Sequence, residues 1–207
     1  MFLLRRPGED RMRRFVAERE GAPLTYPEVG ASRDATVPPG YRANHAHVRL
    51  GRGEAAYRRA VEAVRRWAMY DMDWVELLWP DTPIEPGQVV GNLVRHYGFW
   101  SMHACRIVYV VDEAEGPVRR FGFGYGTVAD HAERGEERFT VEWRREDDSV
   151  HYELFSFSRP AAPLAVIGRP IARRLQERFA RESARAMREA VREPGPASAA
   201  RSVPAGG

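Results

Sequence analysis

Phe121-Gly122-Phe123-Gly124-Tyr125-Gly126-Thr127 alternates aromatic rings with glycine. A pleated strand sends successive side chains to opposite faces, so the three glycines share one face and the three rings the other. Glycine weakens a strand, and three of them on one face mean that something approaches the backbone closely there. The long helix near the C-terminus is the expected neighbour, with a bound ligand as the functional alternative. The run imitates a Gly-x-Gly phosphate loop, but it lies inside a strand and opens no helix, so it is not a dinucleotide fingerprint.

On either side of this strand the period of two persists for some 90 residues. Strands are predicted at 74–79, 89–97, 101–111, 120–127, 138–145 and 150–158. The intervening Pro-Asp, Pro-Gly, Gly-Pro, His-Ala-Glu-Arg-Gly and Glu-Asp-Asp-Ser segments are turn chemistry. Short connections between consecutive strands make an antiparallel meander, because parallel strands need long crossovers. A further strand, 42–50, precedes Gly51-Arg52-Gly53 and a helix over 54–69, whose Tyr57, Ala60, Val61, Val64 and Trp67 recur at helical spacing.

The ends are helical. Met12, Phe15 and Val16 put an amphipathic helix at about 9–20, followed by a Pro- and Gly-rich stretch to Gly40. The longest helix spans about Leu164–Arg192, where Ile167, Ile171, Leu175, Phe179, Ser183, Met187 and Val191 recur at steps of four. The expected organisation is an N-terminal helical arm (1–23), one domain (24–193) and a disordered tail (194–207). A curved antiparallel sheet gripping the last helix is the economical packing of this order, and the space between them is the default pocket.

Composition removes several classes of chemistry. All 32 Lys+Arg positions are arginine, against 29 Asp+Glu and a net charge of +3. Without lysine there is no Schiff-base chemistry and no phosphate-binding P-loop lysine. With Cys105 as the single cysteine there is no internal disulfide and no cysteine-based zinc site. A hydrophobic content of 43% with no long apolar run is that of a globular chain without a membrane span, expected in the cytoplasm.

Five segments in order carry a resemblance: Thr25-Tyr26-Pro27-Glu28-Val29-Gly30, Leu50-Gly51-Arg52-Gly53, Phe123-Gly124-Tyr125-Gly126-Thr127, Gly135-Glu136-Glu137-Arg138-Phe139 and Phe157-Ser158-Arg159-Pro160-Ala161. Together they resemble uncharacterised protein family 0548, a domain-of-unknown-function family, over about residues 24–192. The resemblance implies an α+β fold of the START-like, helix-grip type: about seven antiparallel strands curved around a long C-terminal helix. It also implies a hydrophobic ligand, without an established reaction.

Candidate site residues follow from this frame. Rings at Trp100, Tyr109, Tyr125, Trp143 and Phe155 either fill a core or line a cavity, with Arg159 or Glu137 as its polar anchor. Consecutive Glu136 and Glu137 on a strand face opposite ways, so one alone reaches a pocket. Arg159 can instead pair with one of these glutamates and pin the entry to the helix. In the enzymatic alternative, a cyclase or hydratase, His131, Tyr125 and Glu136 supply the acid and base. His45-Ala46-His47 offers two imidazoles on one strand face, too few for a metal site by themselves. No cofactor is expected. The expected partner is a small hydrophobic or aromatic molecule, and the arginines read as solvated helix faces rather than a nucleic-acid surface.

Overall fold

The computed structural model describes residues 2–96, 98–161 and 169–192, with only the backbone described at Phe2, Arg169 and Pro170. The expected tail and residues 164–168 of the expected helix lie outside these ranges. Among the described residues, the eight antiparallel strands are β1 (Phe2–Leu3), β2 (Arg42–Arg52), β3 (Val75–Leu78), β4 (Val89–Arg95), β5 (Trp100–Glu113), β6 (Val118–Thr127), β7 (Glu133–Arg144) and β8 (Ser149–Pro160). Three α-helices, α1 (Glu9–Ala17), α2 (Gly53–Arg65) and α3 (Arg169–Val191), complete the order, with short 3-10 turns at Ala31–Asp34 and Ala68–Tyr70. The sheet runs β2-β8-β7-β6-β5-β4-β3, a meander closed at one edge by the first long strand, and β1 pairs with the start of β5. This is the helix-grip arrangement: seven strands curl around α3.

The main core lies on the concave face. Phe121, Phe123 and Tyr125 of β6, with Phe139, Tyr152 and Leu154 of β7 and β8, pack against Ala60 and Val64 of α2 and Met187 and Val191 of α3. A second cluster on the opposite face seats Met12, Phe15 and Val16 of α1 on Leu78, Leu93 and Met102. At roughly 25 cal/mol per Å² of apolar surface removed from water, these two layers are the main term holding the fold together.

The glycine face of β6 does not meet α3. A β-carbon at Gly124 would come 2.3 Å from Cζ of Tyr109, and one at Gly126 would come 2.0 Å from the hydroxyl of Tyr26. Two tyrosines therefore occupy the convex side of the strand. The rings of β6 face α2 and α3, which bury them, whereas on the other face α1 packs at the β3–β5 end of the sheet.

Among the differences from the sequence reading are two element boundaries and the exposure of one α3 residue. Helix α2 stops at Arg65 because Trp67 adopts a left-handed conformation (φ 59°), which turns both its indole and Tyr70 into the core. Strand β7 begins at Glu133, five residues before the expected start, because Glu133–Arg138 pairs with the end of β8. In α3, Leu175 and Phe179 are half-buried and Ser183, Met187 and Val191 buried, but Ile171 is exposed. A four-residue step overshoots a helical turn by about 40°, so Ile171 has rotated about 160° away from Met187.

Three arginines of α3 form charge pairs at i,i+4: Arg173 with Glu177, Arg178 with Glu182 and Arg185 with Glu189. Arg59 of α2 donates from Nε to the carbonyl of Val191 (3.0 Å), satisfying one of the last carbonyls of the helix.

Candidate functional site

Strand register decides which side chains meet. Tyr125 of β6 lies directly opposite Glu137 of β7, and Gly126 opposite Glu136. Tyr125 and Glu137 therefore share the concave face, while Glu136 and the glycines share the convex one.

On the concave face, the Tyr125 hydroxyl donates to Oε2 of Glu137 at 2.7 Å. The hydroxyls of Tyr70 and Tyr125 are also hydrogen-bonded, and the Asn92 side chain lies beside Tyr70. Since Tyr125 spends its only proton on Glu137, Tyr70 donates to Tyr125. The result is a directional chain, Tyr70 to Tyr125 to Glu137, with Asn92 next to its start. Burial pushes the Glu137 carboxyl up to about 7, against the opposing pull of the Tyr125 hydrogen bond. No arginine is close enough to contribute, although the chain carries 32 Lys+Arg positions, all arginine. Burial also pushes Tyr70, Tyr125 and the Cys105 thiol up, and in each the negative charge of Glu137 adds to the shift.

Glu137 is only partly buried, and its Oε1 has no hydrogen-bond partner among the described residues. Rings border the chain: Tyr70 lies 5.4 Å from Phe179 of α3, and Tyr125 lies 5.4 Å from Phe139. The site thus combines an apolar surround, one accessible carboxylate oxygen and a file of donors behind the other.

Glu136, 2% exposed, does a different job. It accepts from the Tyr26 hydroxyl (2.6 Å), the Gly30 amide (2.8 Å), the Ser32 amide (2.9 Å) and the Ser32 hydroxyl (2.5 Å). Gly30 sits at φ 88°, a left-handed conformation that favours glycine and aims its amide at the carboxylate. Every lone pair of Glu136 is engaged, so it pins the 25–34 segment to the convex face. That is the physical content of the Thr25–Gly30 motif.

The enzymatic trio expected from sequence is not assembled. Glu136 and Tyr125 are on opposite faces, and His131 lies at the β6–β7 turn. There its Nδ1 is 3.0 Å from the backbone of Glu133 and its ring stacks loosely on His103 (4.6 Å), with its pKa pushed down to about 4 by burial. The ligand-lining residues divide as well. Tyr125 and Glu137 meet as described. Trp143 is concave but sits under α2 beside Tyr57 (6.1 Å), with Nε1 bonded to Asp148 (2.9 Å). Tyr109 and Phe155 are convex, the first bonded to the Ser32 hydroxyl (2.6 Å), the second beside His45 (6.3 Å). Arg159 lies over the Tyr41 ring at 4.6 Å rather than beside either glutamate.

Trp100 borders an open groove of about 700 Å³ between the 66–80 segment and the last turns of α3. Tyr125 and Glu137 do not reach that groove, but Tyr70, hydrogen-bonded to Tyr125, is part of its lining. His45 pairs with Glu153 (2.8 Å) and His47 stacks on His151 (4.7 Å), and no metal-holding group of three ligands forms among the described residues.

Tyr70 and Asn92 were not legible as site residues. Tyr70 falls beyond the expected helix, in a turn whose direction Trp67 sets. Asn92 left one faint signal, an amide at an inward position between Val90 and Val94.

A family model described as "Domain of unknown function (DUF1990)" matches residues 25–186. The chain belongs to this family. In DUF1990 terms the matched stretch holds both glutamates, Tyr26, Tyr70, Asn92 and Tyr125, and leaves α1 and β1 outside. A "UPF0548 protein" of Dictyostelium discoideum is 33% identical over 92% of this chain and 96% of its own length. One from Deinococcus radiodurans is 41% identical over 89% of this chain and 96% of its own. Among solved structures, hypothetical protein jhp0584 from Helicobacter pylori is similar in fold, with a TM-score of 0.50 at 10% identity, covering 82% of this chain and 96% of that one. No helix among the described residues of this DUF1990 chain is long and apolar enough to cross a membrane.

Proposed function

We propose that the chain binds a small, largely apolar molecule bearing a hydrogen-bond donor, an alcohol or an amine, between the concave face and α3. Oε1 of Glu137 is the polar anchor. The observation that carries this reading is the carboxylate itself: partly exposed, set among rings, engaged at one oxygen and lacking a nearby cation. An occupant carrying a carboxylate would face repulsion from it, whereas a donor would satisfy the open oxygen.

A thermal-shift series with long-chain alcohols, long-chain amines and fatty acids of matched length tests the reading at pH 8. Alcohols or amines are expected to raise Tm and fatty acids to leave it unchanged. Glu137→Gln should weaken binding at least tenfold. Equal binding of fatty acids, insensitive to that substitution, would overturn it.

A second reading, acid–base catalysis at the same place, is favoured by one fact. Glu137, with a pKa raised to about 7 and hydrogen-bonded to Tyr125, suits a base working near neutrality. In that case Tyr125 and Tyr70 orient and polarise the carboxylate, and neither His131 nor Glu136 takes part.

A further inference from the structure

The solvent side of α3 carries a row of one residue type. At about 100° per residue, Arg174, Arg178, Arg181, Arg185 and Arg188, with Arg192 just past the helix, fall within about 40° of one line along its surface. That line lies opposite Ser183 and Met187, which are buried in the core. With a rise of about 1.5 Å per residue, the row is about 27 Å long.

Ion pairing does not neutralise this row. Glu182 takes Arg178 (2.7 Å) and Glu189 lies 3.9 Å from Arg185, while Glu177 pairs with Arg173 off the line. Arg174, Arg181, Arg188 and Arg192 are exposed and have no carboxylate partner among the described residues. Ile171, 61% exposed, stands one turn before Arg174 at the head of the row. The ridge therefore offers four unneutralised guanidinium groups and one large apolar side chain on a single rigid element.

We infer that this ridge docks the protein on an anionic lipid bilayer. Headgroup phosphates accept charge-assisted bonds from the guanidinium groups, and the long arginine stems let those groups spread at headgroup level. Ile171 enters the boundary with the acyl chains, where an apolar side chain is stabilised. Nucleic acid fits the same charge less well. A helix in a major groove about 12 Å wide has phosphates along both of its flanks. Here one flank carries Glu177 and the other Glu182 and Glu189, and β2 and α2 pack against the helix. A flat surface met by the crest alone escapes these carboxylates. Glu137 has no part in the contact, because its aromatic neighbours lie on the inner side of α3.

Flotation of the full chain with vesicles tests the contact, using phosphatidylcholine alone and phosphatidylcholine mixed with phosphatidylglycerol. Binding is expected only with the anionic mixture, and added salt should weaken it. Each basic residue near an anionic membrane strengthens attachment about fivefold, so the triple variant Arg174→Gln, Arg181→Gln, Arg188→Gln should bind about a hundredfold more weakly. Its Tm should stay close to that of wild type, since all three side chains are exposed. Removing the same charge on the α1 side, with Arg5→Gln, Arg13→Gln and Arg14→Gln, should leave most of the binding intact. Ile171→Ser should weaken attachment severalfold without altering its salt dependence. No flotation with anionic vesicles at low salt would overturn the inference, as would equal losses in the two triple variants. Binding to a duplex oligonucleotide in place of the vesicles would overturn it in favour of nucleic acid.

Discussion

Glu137 and Gly124 show how much a single position carries. The carboxyl of Glu137 titrates near 7 in the folded chain, above its ordinary value of 4.5. A group whose acid form is favoured by folding holds its proton in the native state after the unfolded chain has lost it. Between about pH 4.5 and 7 the unfolded state therefore binds fewer protons, and stability falls as pH rises, levelling off above 7. The cost of ionisation is on the order of 2 kcal/mol, discounted for the partial exposure of the side chain. Urea midpoints of wild type should decline from pH 5 to pH 7.5, and Glu137→Gln should flatten that slope. At Gly124, an added methyl meets the Tyr109 ring, and Gly124→Ala should cost about 1–3 kcal/mol. Removing the ring first should cancel the effect, so a double-mutant cycle with Tyr109→Ala should show strong coupling. Alternation made the glycine face legible in the sequence. What lay on it was not, because Tyr26 and Tyr109 arrive from a distant loop and from a strand whose register shifts after Ile107.

Elements raise a different question, since a segment without regular structure is held as firmly as a strand. Residues 25–34 fasten to the convex face through the four hydrogen bonds that Glu136 accepts. Glu136→Gln removes the charge from these bonds and puts donors where acceptors are needed. It should lower stability by about 2–3 kcal/mol. Hydrogen exchange should show protection lost first at the amides of Gly30 and Ser32, with the β6–β8 amides little changed. The strands and helices themselves were readable from periodicity, because side-chain period follows directly from backbone geometry. Their ends were not. The left-handed Trp67 that stops α2 and the early start of β7 depend on partners far along the chain, whereas the exposure of Ile171 follows from helix pitch.

For the whole molecule, the concave core joins α2, α3 and the middle of the sheet in one cluster. Met187 of α3 is fully buried there, and Met187→Ala should cost about 2–5 kcal/mol. Because the cluster spans both layers, near- and far-ultraviolet circular dichroism should report the same shifted transition, as cooperative unfolding requires. Separate transitions would show that α3 comes off before the sheet. On α3, three arginines pair with glutamates along the helix, while Arg174, Arg181 and Arg188 are exposed beside them.

By itself, the sequence determined the alternation of β6, the antiparallel meander, the long terminal helix and the opposition of Glu136 and Glu137. All of these are local consequences of backbone period and turn chemistry. Tertiary structure alone decided which glutamate faces the helix, that Tyr70 and Asn92 stand behind it, and that His131 and Arg159 lie elsewhere. Those outcomes depend on strand register and on chain segments dozens of residues apart. A one-residue change in register would exchange the two faces and their chemistry without altering the periodicity of the sequence.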